Sequence, residues 1–138
     1  MIDLDFKVLK CLYRSQNSMK VGELSTKMDI AHSTLGSCIG RLKKKGQVIY
    51  KAYHKVELTE SGKDLARELI RHSKLLELLL FRELGLNTEE AHEESEKFNL
   101  LFSCNTINKI CEKYNHPKNG PCKELIPNSE SCFCEKST

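Results

Sequence analysis

The sequence has no tryptophan, and phenylalanine and tyrosine together make up 7% of its 138 residues. A hydrophobic core must therefore be small and built from Leu, Ile and Val. Long apolar runs are missing as well. The most apolar stretch, residues 75–81, is broken by Glu77 and is far too short to span a bilayer. Asp3 and Asp5 stand where the basic segment of a secretory leader would be, so a cytoplasmic protein with no membrane partner is expected. No phosphate-binding glycine loop, His-Glu-x-x-His helix or Ser/His/Asp order is present, which argues against an enzyme. Proline occurs only at positions 117, 121 and 127, so regular patterning is expected to fail from residue 116 onward.

The net charge of +3 is unevenly spread. Residues 1–70 hold 13 Lys/Arg against 8 Asp/Glu, a balance of +5, and residues 71–138 hold 9 against 11, a balance of −2. A nucleic-acid partner is expected at the basic front half. Five of the seven cysteines (Cys104, Cys111, Cys122, Cys132 and Cys134) fall in the last 35 residues. The odd count, without an export signal, points to metal or redox chemistry rather than a disulfide scaffold.

Leu4, Phe6, Leu9, Leu12 and Tyr13 recur at helical spacing, which predicts a first helix over residues 3–14 closed by the turn formers at 15–18. Val21, Leu24 and Met28 predict a short second helix. A third opens at His32 or Ser33, carries Leu35, Cys38, Ile39 and Leu42 on one face, and stops at Gly46. Residues 48–58 are rich in β-branched and aromatic side chains and predict two short strands with a turn near 53–55. Thr59 to Gly62 cap a long helix reaching about Leu84. Its stretch 75–81 is apolar nearly all round, so a second subunit is the natural cover. Thr88 is read as the cap of a further helix ending near Phe102, and Ser103 as the start of another. The expected fold is mainly α: a winged helix-turn-helix domain over residues 1–70, a helical dimerisation domain over 71–120 and a cysteine-rich tail over 121–138.

A helix that reads the major groove needs short polar side chains at its N-terminus and basic ones beyond for phosphates. Ser33, Thr34 and Ser37 supply the first and Arg41, Lys43, Lys44 and Lys45 the second. Lys51, His54 and Lys55 on the hairpin suit backbone or minor-groove contact. Cys38 and Cys11 are assigned to core packing.

These elements resemble the diphtheria toxin repressor (DtxR/MntR) family. Ala31-His32-Ser33-Thr34-Leu35 with Gly40-Arg41-Leu42-Lys43-Lys44-Lys45-Gly46 is similar to its recognition helix, and residues 49–62 to its wing and linking helix. Ser73-Lys74-Leu75-Leu76-Glu77, Leu84-Gly85-Leu86 and Ala91-His92-Glu93-Glu94 continue the likeness, which spans about residues 4–127. The resemblance implies a homodimer that binds a palindromic DNA operator in the presence of Fe²⁺ or Mn²⁺, in a short form without the SH3-like domain of larger members. It implies a principal metal site at the positions of Leu4, Glu96, Asn99 and Leu100, of which only Glu96 keeps a good ligand. It implies a second site using Glu77 and His92, where the histidine expected at Ser73 is absent. His72 is adjacent but rotated by about 100° on a helix.

The inherited metal switch is thus expected to be impaired or moved, and the C-terminal cysteines are the candidates for its new place. Thiolates select Zn²⁺, iron or an iron–sulfur cluster. Cys122, Cys132 and Cys134 are the expected ligands, with Cys111 fourth and Cys104 the alternative. Cys104 and Cys111, seven residues apart on one helix, are separated by about 10.5 Å and cannot share one ion. The functional expectation is a metal- or iron–sulfur-responsive repressor of metal homeostasis genes. The alternatives are a thiol-redox regulator without metal and a metal adaptor that has lost DNA binding.

Overall fold

The structure, a computed structural model, describes residues 3–98 and 102–128. It divides into two compact units, Met1–Ala66 and Arg67–Thr138. Among the described residues no helix is long and apolar enough to cross a membrane.

The first unit runs α1 (Asp3–Arg14), β1 (Ser18–Lys20), α2 (Val21–Met28), α3 (His32–Lys44), β2 (Val48–Lys51), a 3-10 turn (Ala52–His54) and β3 (Lys55–Leu58). Periodicity translates directly into burial here. Val8, Leu9 and Leu12 of α1, Leu24 of α2, and Leu35, Cys38, Ile39 and Leu42 of α3 meet Val48, Val56 and Leu58 of the sheet in a closed core. α3 ends where Gly46 takes a left-handed φ of 73° and Gln47 N–H donates to Leu42 O at 2.9 Å.

The sheet has three antiparallel strands in the order β1-β3-β2, where two were expected. β1 adds to the far edge of β3, with Met19 opposite Val56. A strand of three residues is too short to show alternation, and its partner lies far along the chain. The turn falls within the expected region, with Tyr53 and His54 at φ of 61° and 57° in place of the usual Gly or Asn.

α4 (Glu60–Glu83) begins at a crowded junction. Thr59 Oγ1 accepts from Gly62 N–H at 3.1 Å and donates to Gly46 O at 2.7 Å. Gly62 packs so tightly on the carbonyl of Gln47 that a β-carbon there would collide with it.

In the second unit, α5 (Thr88–Glu96) is capped by Asn87, not by Thr88. The Asn87 side chain accepts from Glu90 N–H at 2.8 Å, and Glu90 Oε1 accepts from Asn87 N–H at 3.4 Å. α5 stops at Glu96, short of the expected residue 102. The following N–H groups turn to carbonyls three residues back, Lys97 to Glu94 and Phe98 to Ser95. α6 (Cys104–Lys113) starts at Ser103, whose hydroxyl accepts from Thr106 N–H at 3.2 Å. Residues 118–126 close a loop through Gly120 N–H to Glu124 O and Ile126 N–H to Lys118 O. Ile126 then joins Leu75, Ile107 and Cys111 in the core of this unit. The segment expected as a separate tail from residue 121 is thus continuous with the helical unit as far as residue 126.

Gly62→Ala is expected to destabilise the protein by about 1–3 kcal/mol, because the Gln47 carbonyl that must move is itself held by Thr59 N–H. Urea denaturation of the variant measures it, and an unchanged midpoint would refute the packing argument.

Candidate functional site

The first unit offers a surface on α3. Leu35, Cys38, Ile39 and Leu42 face inward, which leaves Ser33, Thr34, Gly36, Ser37 and Gly40 exposed on the opposite face. Beyond them Lys43, Lys44 and Lys45 are exposed, with Lys43 Nζ 5.4 Å from the Tyr50 ring centroid. Lys51, His54 and Lys55 are exposed on the hairpin, and Tyr53 stands out at its tip.

Arg41 is placed differently from its lysine neighbours. Its Nη2 donates to Asp5 Oδ1 at 2.8 Å and its Nε to Asp5 Oδ2 at 3.1 Å, and the Asp5 side chain is fully buried. This bidentate pair ties α3 to α1. Burial, with Asp5 alongside, pushes the Cys38 thiol up to about 12, so it packs as an inert apolar group.

The second unit carries a buried cation centre. Lys74 of α4 is fully buried, and so is Glu77 one helical turn further on. Lys74 Nζ lies 3.0 Å from Glu77 Oε1, 2.9 Å from Glu124 Oε2, 3.1 Å from His92 Nδ1 and 3.4 Å from Cys122 Sγ. Glu96 Oε1 is 4.0 Å away. Glu77 is held from every side, with His92 Nδ1 at 3.0 Å and Ser95 Oγ at 3.5 Å from Oε1, and Cys122 N–H at 3.4 Å from Oε2. Burial works against the Lys74 charge, but hydrogen bonds to Glu124 and Glu77 outweigh it and raise the pKa above the ordinary lysine value. Burial likewise opposes the Glu77 charge, yet hydrogen bonds from Lys74 and Cys122 hold its carboxyl below the usual range.

Among the described residues, Glu77, His92 and Cys122 form the one group of three donor side chains able to meet on an ion, their ligand atoms lying within 4.8 Å of one another. A carboxylate, an imidazole and a thiol suit a divalent transition metal. Yet the ammonium of Lys74 stands against all three donors. A metal ion would need to sit about 2.0–2.3 Å from each of them, in the same space. With Lys74 in place the donor set does not fit a metal.

The other expected ligands that the structure describes do not join this group. Cys104 is disulfide-bonded, which removes it as a thiolate donor. Cys111 is buried in the core with its sulfur 3.3 Å from His116 Nδ1. Cys132, Cys134, Asn99 and Leu100 lie outside the described residues. His72 turns elsewhere: its Nδ1 accepts from Phe102 N–H at 3.0 Å, its ring stacks on Phe102, and its Nε2 faces Glu68 at 3.5 Å without hydrogen-bond geometry. Ser73, at the position of the absent histidine, lies 3.5 Å from Glu96 through its hydroxyl. Lys74 and Glu124 were missed as site residues. A lysine three residues before a glutamate within an apolar stretch was a signal for the first; nothing local marks the second.

The Lys74–Glu77 pair makes stability depend on pH in both directions. Glu77, with its pKa lowered on folding, contributes stability that is full above about 4.3, its unfolded value, and is lost as pH falls through the folded one. Lys74, with its pKa raised, contributes stability that is full below about 10.4 and is lost as pH rises through the folded value. Denaturation between pH 3 and 7 is expected to show a shallower acid loss in Glu77→Gln than in the wild type. Identical slopes would refute the assignment.

A family model described as the iron dependent repressor, metal binding and dimerisation domain matches residues 59–128. The iron-dependent repressor IdeR of Mycobacterium tuberculosis is 27% identical over 104 residues, covering 75% of this chain and 45% of the relative. The HTH-type transcriptional regulator MntR of Lysinibacillus sphaericus is 25% identical over 101 residues, covering 73% of this chain and 72% of its own. The solved structure of a manganese-dependent transcriptional repressor in complex with manganese superposes with a TM-score of 0.80 at 27% identity, over 92% of this chain and 60% of that one. The chain spans under half the length of the mycobacterial relative.

Proposed function

Because this chain belongs to the iron-dependent repressor (DtxR/MntR) family, we propose that it is a metal-responsive DNA-binding transcription regulator that acts as a homodimer on two-fold symmetric duplex DNA. The observation that carries the reading is the exposed face of α3. Ser33, Thr34 and Ser37 project from a helix whose other face is locked in the core, with three exposed lysines following. Short polar groups can enter a major groove, and the lysines can reach the flanking phosphates. Lys51, His54 and Lys55 extend the basic surface along the hairpin. Arg41 serves the fold through Asp5, and its loss is expected to reduce stability rather than to act on DNA alone.

Replacing Lys43, Lys44 or Lys45 with Ala should weaken binding to specific and random duplexes alike and flatten the salt dependence by about one unit for each phosphate that is no longer neutralised. Replacing Ser33, Thr34 or Ser37 should change sequence preference. Fluorescence anisotropy against operator and random DNA across a salt series separates the two outcomes. Equal loss on both DNAs for the three polar residues would sink the recognition-helix assignment.

The matched family region is described as a dimerisation domain. In support, Leu76, Leu79 and Leu80 are half-buried or better, while Phe81 and Leu84 are exposed at 36% and 68%. Sedimentation of a Leu76→Glu/Leu80→Glu variant is expected to show monomers where the wild type is a dimer. A monomeric wild type at micromolar concentration would end this part of the proposal.

The relatives are named for iron and manganese dependence, which makes a divalent cation the effector class proposed for this chain. An iron–sulfur cluster has little support, since of the expected cysteine ligands only Cys122 joins the donor group among the described residues. The disulfide-bonded Cys104 favours one further reading, in which thiol oxidation is the signal. DNA affinity that follows reductant at constant metal would select it.

A further inference from the structure

We infer that Lys74 is a built-in cation that holds the Glu77–His92–Cys122 donor group closed, so that a divalent metal ion can enter only by displacing it. The ammonium lies 3.0, 3.1 and 3.4 Å from the three donor atoms. An ion at coordinating distance would overlap it, and two positive centres cannot both sit among these three donors.

The partners of Lys74 come from three separate segments. Glu77 belongs to α4 itself, His92 and Glu96 to α5, and Cys122 and Glu124 to the loop of residues 118–126. A metal on this donor group would make the same ties. The lysine makes them with no ion present, through a side chain that is fully buried.

The loop is shaped around this occupant. A β-carbon on Gly120 would stand 3.3 Å from both Glu77 Oε2 and Lys74 Cδ. A side chain there would press on the pair, which would have to give by a few tenths of an ångström. Charge balance points the same way. One ammonium faces Glu77 and Glu124 within 3.0 Å and Glu96 at 4.0 Å. Removing it takes the nearest cation from the buried Glu77 carboxylate, with Glu124 and Glu96 close by, an arrangement that attracts a divalent cation.

The inference rests on reading this region as the sensing part of the regulator, but its test does not use DNA. Cobalt(II) is titrated into the full chain without oxygen. Calorimetry reports affinity, and the Co²⁺–thiolate charge-transfer absorption reports ligation by sulfur. The wild type, Lys74→Met and Lys74→Met/Cys122→Ser are compared, with circular dichroism to confirm folding. Lys74→Met is expected to bind one Co²⁺ per chain at least about 100-fold more tightly than the wild type, as the cost of leaving a buried charge unpaired implies. Its absorption should vanish in the double variant. Equal affinities overturn the inference, as does a folded Lys74→Met that gains nothing, or an absorption that survives Cys122→Ser. If Lys74→Met does not fold, Lys74→Gln takes its place: Co²⁺ binding through Cys122 in that variant no tighter than in the wild type overturns the inference. Loss of operator binding in the anisotropy experiment would remove the regulatory reading while leaving the cobalt result intact.

Discussion

A lysine with no exposed surface is costly to bury, by several kcal/mol before any partner is counted. In this protein the Lys74 ammonium recovers that cost from two carboxylates at about hydrogen-bond distance, an imidazole and a thiol. The rest of the second unit is arranged so that these partners can converge. α5 brings His92 and Glu96, and the loop after α6, closed at Gly120, brings Cys122 and Glu124. The apolar core beside it, Leu75 with Ile107, Cys111 and Ile126, is small. It fixes α6 and the end of the loop, while the polar knot orders the part of the loop that has little apolar surface of its own.

The first unit solves its packing by the opposite route. Its core is almost wholly apolar, drawn from three helices and the sheet, and this leaves the polar faces of α3 and the hairpin at the surface. One exception is the Asp5–Arg41 pair, which crosses the core edge with two well-formed hydrogen bonds. A run that reads as one basic patch in the sequence therefore divides into one residue committed to the fold and three turned to solvent.

Membership of the iron-dependent repressor family makes the residues at the positions expected to hold a cation informative. Leu4 offers no donor. The Glu77–His92–Cys122 donor group includes a thiol, a ligand type suited to softer metals. Its cavity, however, already contains a charge of the sign a metal would bring. Under the proposed regulatory reading, a response to metal depends on a competition between an ion and a tethered side chain, which is always present at high effective concentration.

The sequence by itself determined what repeats over short distances. The helices α1, α3 and α4 follow from 3.6-residue periodicity, the end of α3 from Gly46, the start of α6 from Ser103, and the hairpin from its β-branched and aromatic run, because each signal lies within one or two turns of chain. The short polar N-terminus of α3 and the lysines after it were legible for the same reason. Only the tertiary structure decided the pairing of β1 with β3, the partner of Arg41 36 residues away, and the meeting of Lys74 with Cys122 48 residues on. The cap of α5 falls between these cases, since Asn87 and Thr88 are both good caps and the reciprocal bonds with Glu90 select Asn87. Local periodicity says which face of a helix turns inward. It cannot say which distant side chain will stand opposite, and for a buried charge that partner decides whether the position serves packing, an ion or neither.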